Sequence, residues 1–410
     1  MKFEGRMTKI EWKTVTLGDV AEFVRGINFK PDDVVPTGTP GTVACMRTKN
    51  VQADLDLSDV WSVGEQFVRR EDQFLQAGDV LVSSANSWNL VGKCCWIPEL
   101  PGRASFGGFV SVLRPEPTKV EPRFLYRWFS SDRIQTTLRS FGQQTTNISN
   151  LNTDRCLKLS LPLPPLAEQQ RIAEVLDRAE ALRAKRRAAL AQLDSLTQSL
   201  FLDLFGDPVA NPKGWPMVTL ENVLSIPLRN GLSPSKSGKV HANVLTLSAI
   251  TGNRFDATAW KTSTFMTRPP ANQSVSELDF LICRGNGNVH MVGKGYFPCE
   301  AMPEMTFPDT MIAARILTER IERAFLQHVW NSSAVRKQVE AVARTTNGTF
   351  KVNQPSLEGI LFVSPPIKLQ REFARRVTAV ETLKTAHRAS LAELDALFAT
   401  LQHRAFRGEL

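Results

Sequence analysis

The sequence lacks features that would have placed the protein in several common classes. It has no run of eighteen apolar residues, so no membrane-spanning helix is expected. Its N-terminal segment has no apolar core of the kind found in a secretory signal. Its six cysteines form no Cys-x-x-Cys pair and have no histidine nearby, which argues against a zinc site and a disulfide framework. We therefore expect a cytoplasmic protein.

Motifs of catalysis and cofactor binding are also missing. There is no Gly-x-x-x-x-Gly-Lys-Ser/Thr phosphate loop, and the five histidines are too scattered to form a metal or catalytic cluster. The segment Gly285-Asn286-Gly287 begins like a dinucleotide fingerprint but lacks the third glycine. We expect a protein without catalytic residues, metal or cofactor of its own.

One tetrapeptide, Ser364-Pro365-Pro366-Ile367, is similar to the Ser/Asn/Asp-Pro-Pro-aromatic motif of amino-methyltransferases. In that motif the polar residue binds the target amine and the aromatic ring stacks on a flipped base. Here isoleucine replaces the aromatic residue, and the equivalent segment earlier in the chain reads Leu163-Pro164-Pro165-Leu166. The pattern favours a strand-to-helix connection over a catalytic motif.

The net charge of +9, from 50 basic and 41 acidic residues, suits a polyanionic partner but supports DNA binding only weakly.

The chain contains an internal repeat with an offset of 200 to 203 residues. Matches follow one another in the same order through both halves, which indicates a duplication. The matching pairs are Trp12–Leu17 with Trp215–Leu220, Gly78–Val82 with Leu278–Ile282, Val91–Lys93 with Val292–Lys294, Thr145–Asn147 with Thr345–Asn347, and Pro164–Leu166 with Pro365–Ile367.

Each half ends in a predicted long helix. Residues 166–205 and 367–406 contain neither glycine nor proline, and a pair of prolines precedes each segment, as is typical of a helix start. The expected organisation is a mixed α/β (α+β) domain over residues 1–163, a helix over 164–206, a second such domain over 207–364 and a second helix over 365–410.

Apolar residues recur at heptad spacing along both helices, which predicts an antiparallel coiled coil with pseudo-twofold symmetry. A helix of forty residues would be about 60 Å long and could separate two domains. Arg186 and His387 interrupt the stripe at equivalent positions, where they either fix the register or extend into solvent. The first row is Ile172, Ala179, Leu193 and Leu200 with Phe373, Val380, Leu394 and Leu401; the second is Val175, Leu182, Ala189 and Leu196 with Leu383 and Leu397.

The segment Leu161-Pro-Leu-Pro-Pro-Leu-Ala-Glu-Gln-Gln-Arg171-Ile-Ala-Glu-Val-Leu176 and its continuation to Pro208 strongly resemble the first conserved region of type I restriction-modification specificity subunits. The order of domain and helix also resembles that family over the whole chain. The second copy departs from the motif, since Leu369 stands where the first has Glu168.

The resemblance implies two target recognition domains, each reading one half of a split DNA sequence, and helices that set the spacing between the halves. It also implies two modification subunits that carry S-adenosylmethionine, and two restriction subunits that hydrolyse ATP and can join the complex. The cofactors would then belong to the partners. Whether the complex restricts DNA or only methylates it is left open.

Base reading requires side chains with directed donors and acceptors on projecting loops. Two stretches in each half have this chemistry, and they differ between halves far more than the flanking segments do, which predicts an asymmetric site. Lys93 and Lys294 are expected to contact phosphates. The ordinary alternative is that these residues only form turns. The candidates are Ser83, Ser84, Asn86, Ser87, Trp88, Lys93, Gln143, Gln144, Thr145, Thr146 and Asn147, and Arg284, Asn286, Asn288, His290, Lys294, Arg344, Thr345, Thr346 and Asn347.

Two other functions compete with DNA recognition. A self-sufficient adenine methyltransferase would need its own cofactor pocket, and a coiled-coil adaptor would bind only proteins. Within the first domain we expect strands around residues 77–83 and 108–113 and a polar-faced helix near residues 121–139.

Overall fold

The computed structural model describes residues 12–144, 148–346 and 348–410. Contacts along the chain divide it into two units. The first unit contains Met1–Arg187 and Ala389–Leu410, and the second contains Ala188–Arg388. Each unit thus takes one part of each long helix, whereas the sequence placed each helix between domains. The boundaries drawn from the sequence stay a prediction.

The described residues form nine α-helices, two of them much longer than the rest. None of these helices combines the length and apolarity needed to cross a lipid bilayer. They are α1 Pro122–Phe129, α2 Asp132–Ser140, α3 Thr153–Leu157, α4 Leu166–Phe205, α5 Ser248–Thr251, α6 Arg323–Trp330, α7 Ser333–Val342, α8 Gln354–Glu358 and α9 Ile367–Ala405.

The two long helices begin and end where the sequence predicts. Helix α4 starts directly after its proline pair, and α9 does the same. Gly206 follows the end of α4 with a φ of +80°, and Gly408 lies shortly after α9 with a φ of +70°. Glycine adopts this left-handed conformation without steric cost, which suits a helix C-terminus. The lack of internal glycine and proline therefore leads to two continuous helices.

The predicted antiparallel pairing of α4 and α9 is confirmed within each unit. In the first unit Arg183 Nε lies 2.6 Å from Asp395 Oδ1, and Arg171 Nη2 donates to the carbonyl of Leu410, just beyond α9, at 3.2 Å. In the second unit Lys384 Nζ lies 2.9 Å from Asp194 Oδ1, and the ring centres of Phe205 and Phe373 are 5.5 Å apart. Residue numbers rise along one helix as they fall along the other, as antiparallel packing requires.

The second heptad row corrects the sequence-based prediction. Ile172 and Phe373 of the first row are fully buried. In contrast, four leucines of the second row are 40–54% exposed. The residues one position later, such as Arg183, Lys384 and Phe398, are buried or half-buried, so the second contact row lies one residue after the predicted one. The exposed residues are Leu182, Leu196, Leu383 and Leu397.

Thirteen strands lie in the described part of the first unit. Antiparallel pairing forms sheets in the orders β1-β13, β2-β10-β6-β8 and β11-β12-β7, while β3-β5-β4-β9 includes a parallel pair. The strands are β1 Lys13–Thr16, β2 Ala21–Arg25, β3 Val34–Val35, β4 Thr42–Met46, β5 Trp61–Gly64, β6 Val80–Ser83, β7 Ala85–Asn86, β8 Cys94–Trp96, β9 Ala104–Phe106, β10 Val110–Pro115, β11 Gly142–Gln144, β12 Ser149–Leu151 and β13 Ser160–Leu163.

The second unit repeats this arrangement with one strand fewer among its described residues. Its sheets have the orders β14-β25, β15-β22-β18-β20, β17-β16-β21 and β19-β24-β23. The strands are β14 Met217–Thr219, β15 Arg229–Asn230, β16 Val240–Leu245, β17 Trp260–Phe265, β18 Asp279–Cys283, β19 Gly285–Asn286, β20 Gly295–Tyr296, β21 Met305–Thr306, β22 Met311–Arg315, β23 Arg344–Thr346, β24 Thr349–Lys351 and β25 Leu361–Val363.

The two halves also share the same individual hydrogen bonds at the start of each long helix. Buried Gln169 accepts a bond from the backbone N–H of Glu121 and donates to the carbonyl of Pro164, both at 2.8 Å. Buried Gln370 makes the same two bonds at the equivalent positions, at 2.9 and 2.7 Å. Each glutamine thus joins a long helix to the preceding domain, since both amide atoms are paired with backbone groups.

The helix expected near residues 121–139 is two helices, α1 and α2, and the expected strands correspond to β6 and β10. The break occurs because Ser131 has an extended backbone with ψ of 145° and its hydroxyl donates to the carbonyl of Trp128 at 2.7 Å. A serine hydroxyl bonded to the backbone in this way competes with the helical pattern. The expected polar face is also wrong for α1, whose residues 124–129 are all buried.

Candidate nucleic-acid interface

The two polar stretches predicted in each half come together on one three-stranded sheet. In the first unit, Asn86 of β7 and Gln144 of β11 both pair with Ser149 of the central strand β12. In the second unit, Asn286 of β19 and Thr345 of β23 both pair with Phe350 of β24. We call these the first and second reading sheets. Each forms a single surface from segments that lie more than fifty residues apart in the sequence.

A buried strand carries each reading sheet. Strand β6 leads directly into β7, and the carbonyl of the intervening Ser84 accepts a bond from Leu151 N at 2.8 Å. In the second unit β18 leads into β19, and the carbonyl of Arg284 accepts from Val352 N at 2.9 Å. All residues of β6 and β18 are buried, so the polar segments that follow are held by a rigid core.

In the first reading sheet, some of the predicted residues are buried and hold the loop in place, and others are exposed to solvent. Ser83 is buried, and its hydroxyl accepts a hydrogen bond from Asn86 Nδ2 at 3.0 Å. Ser83 therefore supports the loop instead of projecting from it. Ser84 and Asn86 are half-buried, whereas Ser87 and Trp88 are exposed, with Trp88 at 56%. The Ser87 hydroxyl donates to Asn89 Oδ1 at 2.7 Å, which orders the turn that presents the indole.

The corresponding loop of the second unit is ordered by asparagine side chains. Asn286 Oδ1 accepts from the backbone N–H of Asn288 at 2.9 Å, and Asn288 Oδ1 accepts from that of His290 at 3.0 Å. Arg284 is half-buried and donates through Nη1 to the carbonyl of Asp309 at 3.2 Å. Local bonds of this kind fix the loop while Asn288 and His290 stay exposed.

His290 lies beside a carboxylate. Its Nδ1 is 3.1 Å from Glu340 Oε1, and the histidine side chain is 73% exposed. The hydrogen bond with His290, together with the nearby charge of Arg336, lowers the pKa of Glu340 below its ordinary value. A histidine held against a carboxylate can still direct its second ring nitrogen outward as a hydrogen-bonding group.

The remaining predicted residues fall in three groups. Arg344 and Thr345 are exposed on β23, and the backbone of Gln143, Gln144 and Thr346 forms part of β11 and β23. Lys93 and Lys294 are half-buried at the ends of their loops, where Lys93 Nζ donates to Gln52 Oε1 at 2.7 Å. Outside the described residues lie Thr145, Thr146, Asn147 and Asn347.

A third element at each sheet was missed from the sequence. The turn Gly107–Val110 contacts the first sheet, because the carbonyl of Phe109 accepts from the N–H groups of Ser84 and Ala85 at 3.1 and 3.0 Å. The turn Pro308–Met311 contacts the second, because the carbonyl of Thr310 accepts from Arg284 N at 2.8 Å. The available signal was an aromatic residue following the pair Gly107-Gly108.

The methyltransferase-like tetrapeptide is occupied by structural bonds. Ser364 N donates to the carbonyl of Pro216 at 2.8 Å, and the carbonyl of Pro365 accepts from Gln370. These bonds connect the tetrapeptide to Pro216 and to the first turn of α9, as expected of a strand-to-helix connection. Over the part of the chain that is described, no three His, Cys, Asp or Glu side chains lie close enough together to hold a metal ion.

Comparison with known proteins gives a consistent picture. A family profile described as Type I restriction modification DNA specificity domain matches residues 9–192. The chain is 25% identical to the Type I restriction enzyme EcoKI specificity subunit of Escherichia coli K12, over 97% of this chain and 89% of that protein. It is 24% identical to the StySPI specificity subunit of Salmonella potsdam, with the same coverage of 97% and 89%.

Solved structures show the same fold. The crystal structure of the type I restriction-modification system S subunit from M. genitalium superposes with a TM-score of 0.56 at 16% identity, covering 99% of this chain and 98% of that one. A chain from a study of complex assembly in the type I R-M system gives a TM-score of 0.56 at 19% identity, with 98% of both chains covered. Residues 9–192 match the DNA specificity domain of type I restriction-modification systems, and the chain is similar along nearly its whole length to the specificity subunits of those systems.

Proposed function

We propose that this chain recognises an asymmetric, two-part DNA sequence on behalf of a type I restriction-modification complex. The observation that carries the proposal is the pair of reading sheets. They share one hydrogen-bonding scaffold but present different side chains, Trp88 and its neighbours in one and Arg284 and its neighbours in the other. Equivalent scaffolds with unlike side chains are what two unlike half-sites require. The reading domains would be residues 1–163 and 207–364.

The long helices would set the distance between the half-sites. A helix of forty residues extends about 60 Å, the length of nearly two turns of B-form DNA. Ion pairs and buried apolar contacts join α4 to α9 in both units, so the pair can act as a stiff spacer. A change in helix length should therefore change the spacing that is recognised.

The exposed leucines of the helices are the proposed docking sites for two modification subunits. Arg183 lies against Asp395, so Leu182 is level with Leu397; likewise Leu196 is level with Leu383. Antiparallel helices that contact each other through the same heptad row expose their second rows on the same side. Each unit thus presents one leucine pair, which suits two copies of one partner. The partners would supply S-adenosylmethionine, and ATP-dependent restriction subunits would join them.

The catalytic steps would belong entirely to those partners. The tetrapeptide most similar to a methyltransferase motif is used in structural bonds, as described above, which supports a role in recognition alone. The six cysteines are free thiols, five of them buried, which supports a reducing compartment such as the cytoplasm.

Mapping of methylated adenines in the host genome tests the proposal directly. Deletion of the gene should abolish methylation at a motif of two unlike halves separated by a fixed spacer. Reintroduction of the chain should restore it. If no two-part motif depends on the chain, the proposal is wrong.

The two competing functions have their own readouts. Crosslinking of labelled S-adenosylmethionine to the purified chain alone would support a self-sufficient methyltransferase. Absence of DNA binding by the chain with its partners present would support a protein-only adaptor.

Docking is tested by Leu182→Glu with Leu397→Glu, and Ala399→Glu, on the exposed surface of α9 facing away from Leu397, is the matched control. Light scattering of the reconstituted complex should show one modification subunit instead of two, because one leucine pair is lost. Two bound copies would contradict this assignment of the docking site.

A further inference from the structure

Phe109 and Thr310 occupy the same position in two equivalent turns. Val110 N donates to the carbonyl of Gly107 at 3.0 Å in the first turn, and Met311 N donates to that of Pro308 at 2.9 Å in the second. In both turns the third residue uses its carbonyl to hold the segment that leads into the reading sheet. The backbone is therefore shared, and the side chain is the difference.

Both turns are held rigidly against a glycine of a neighbouring segment. A Cβ added at Gly26 would lie 2.3 Å from the carbonyl oxygen of Gly107, and one added at Gly231 would lie 2.0 Å from that of Pro308. Only glycine permits so close an approach of two backbones. The side chains of Phe109 and Thr310 therefore extend from fixed points beside the reading sheets.

The phenyl ring of Phe109 is 62% exposed on this rigid support. Other exposed apolar side chains belong to the same region, with Trp88 at 56% and Ile148 at 41%. The second unit has a hydroxyl at the equivalent place, since Thr310 is exposed. Phe109 is a large apolar side chain exposed to water, and its backbone is bonded to a polar surface proposed to bind DNA. Such an exposed side chain indicates that the ligand of this surface has an apolar group that Phe109 can contact.

We propose that Phe109 is a specificity-determining residue that contacts the C5-methyl group of a thymine in the first half-site, and that Thr310 reads the corresponding position of the second half-site by hydrogen bonding. The inference rests on the proposed function. In the major groove the thymine methyl is the apolar feature of the base-pair edges, and phenylalanine is among the residues that contact it. A threonine hydroxyl can instead pair with a base donor or acceptor.

The test uses the complex with its modification subunits and duplexes in which each thymine of the first half-site is replaced in turn by deoxyuridine, which lacks only the methyl group. Wild-type complex should lose about fourfold in affinity at one position, the factor that corresponds to about 0.8 kcal/mol for one buried methyl group. Phe109→Ala should bind the normal duplex as weakly as the wild type binds that deoxyuridine duplex, or more weakly. It should show no further loss on substitution. Thymine substitutions in the second half-site serve as the control.

Three results would overturn the inference. The first is wild-type sensitivity to deoxyuridine that persists in Phe109→Ala. The second is a uniform loss of affinity for all duplexes, including unrelated DNA, which would make Phe109 a contact without sequence preference. The third is failure of the wild-type complex to bind any duplex. That result would also contradict the proposed function, whereas the first two would contradict only the role of Phe109. Because Phe109 is exposed, its variants should fold normally, which an unchanged thermal midpoint would verify.

Discussion

Arg183 of α4 and Asp395 of α9 are joined at 2.6 Å, and the guanidinium of the same arginine lies 4.4 Å from the centre of the Phe398 ring. One side chain thus contributes both an ion pair and a cation–π contact to the helix pair. Both contacts are made within the first unit, where α4 meets the last part of α9.

We predict that the ion pair of Arg183 and Asp395 contributes about 0.5–1 kcal/mol of coupling, because the carboxylate is partly exposed and screened by solvent. Arg183→Ala should cost more than Asp395→Ala, since it also loses the contact with Phe398. A double-mutant cycle in urea measures both. Arg178→Ala, which removes a largely exposed charge from the same helix, is the matched control. Equal costs for both single variants would contradict the cation–π contribution.

The buried glutamines provide a second prediction. Gln169→Ala and Gln370→Ala should each lower the free energy of unfolding by about 1–3 kcal/mol, because a backbone donor and a backbone acceptor lose their partners in a buried place. Exposed Gln192→Ala should change the stability by less than about 0.5 kcal/mol. Urea denaturation monitored by tryptophan fluorescence makes the comparison. A loss confined to only one of the two glutamines would indicate that the units differ in how their helices are attached.

The stability of the second unit should depend on pH through His328. Burial lowers the pKa of this histidine to about 4, while its ring stacks on Phe201 with centroids 4.5 Å apart. The unfolded chain takes up the proton near pH 6.5, so stability is complete above that pH and falls as the pH drops toward 4. Between pH 7 and pH 5 the loss should reach up to about 2 kcal/mol.

His328→Phe should remove that pH dependence while keeping the stacked ring. Denaturation of the second unit at several pH values distinguishes the variant from wild type. An identical loss between pH 7 and pH 5 in both proteins would assign the effect to other groups.

Arg284 should discriminate at one base pair of the second half-site. Arg284→Ala is expected to cost about 1–3 kcal/mol of discrimination at that position and to leave the first half-site unchanged. Lys294→Ala, at the end of the same loop, should weaken binding to all sequences alike and reduce the salt dependence by about one counterion. Affinities on a panel of single-base substitutions decide between the two patterns. If Arg284→Ala behaves like Lys294→Ala, Arg284 contacts phosphate.

The internal repeat and the two long segments without glycine or proline were sufficient to predict the two long helices and their antiparallel pairing. Exposure of Leu182 could not be predicted, because heptad spacing alone does not show which of two adjacent positions, Leu182 or Arg183, faces the other helix. The break at Ser131 depends on a single hydroxyl bond that competes with an otherwise helical pattern. Heptad spacing predicts an apolar stripe along a helix but does not show which neighbouring element covers that stripe.

The candidate interface was predictable in part for a similar reason. Polar composition identified both stretches of each reading sheet, but alternation along β6 did not reveal that Ser83 would stay buried. Phe109 escaped notice because its link to Ser84 is a backbone hydrogen bond between segments 25 residues apart. Backbone pairing over such distances carries no signal in side-chain composition.

The contribution of α9 to the first unit has a consequence for synthesis on the ribosome. Leu401 and Ala405 pack into the core of that unit, and Phe406 lies 5.5 Å from Phe124, ring centre to ring centre. The second unit is continuous in sequence, whereas the first must wait for about 200 residues of further translation, or roughly 10–40 s. The half that emerges later can therefore complete its core earlier, and the half made first is exposed to chaperones and proteases until residues 398–406 arrive.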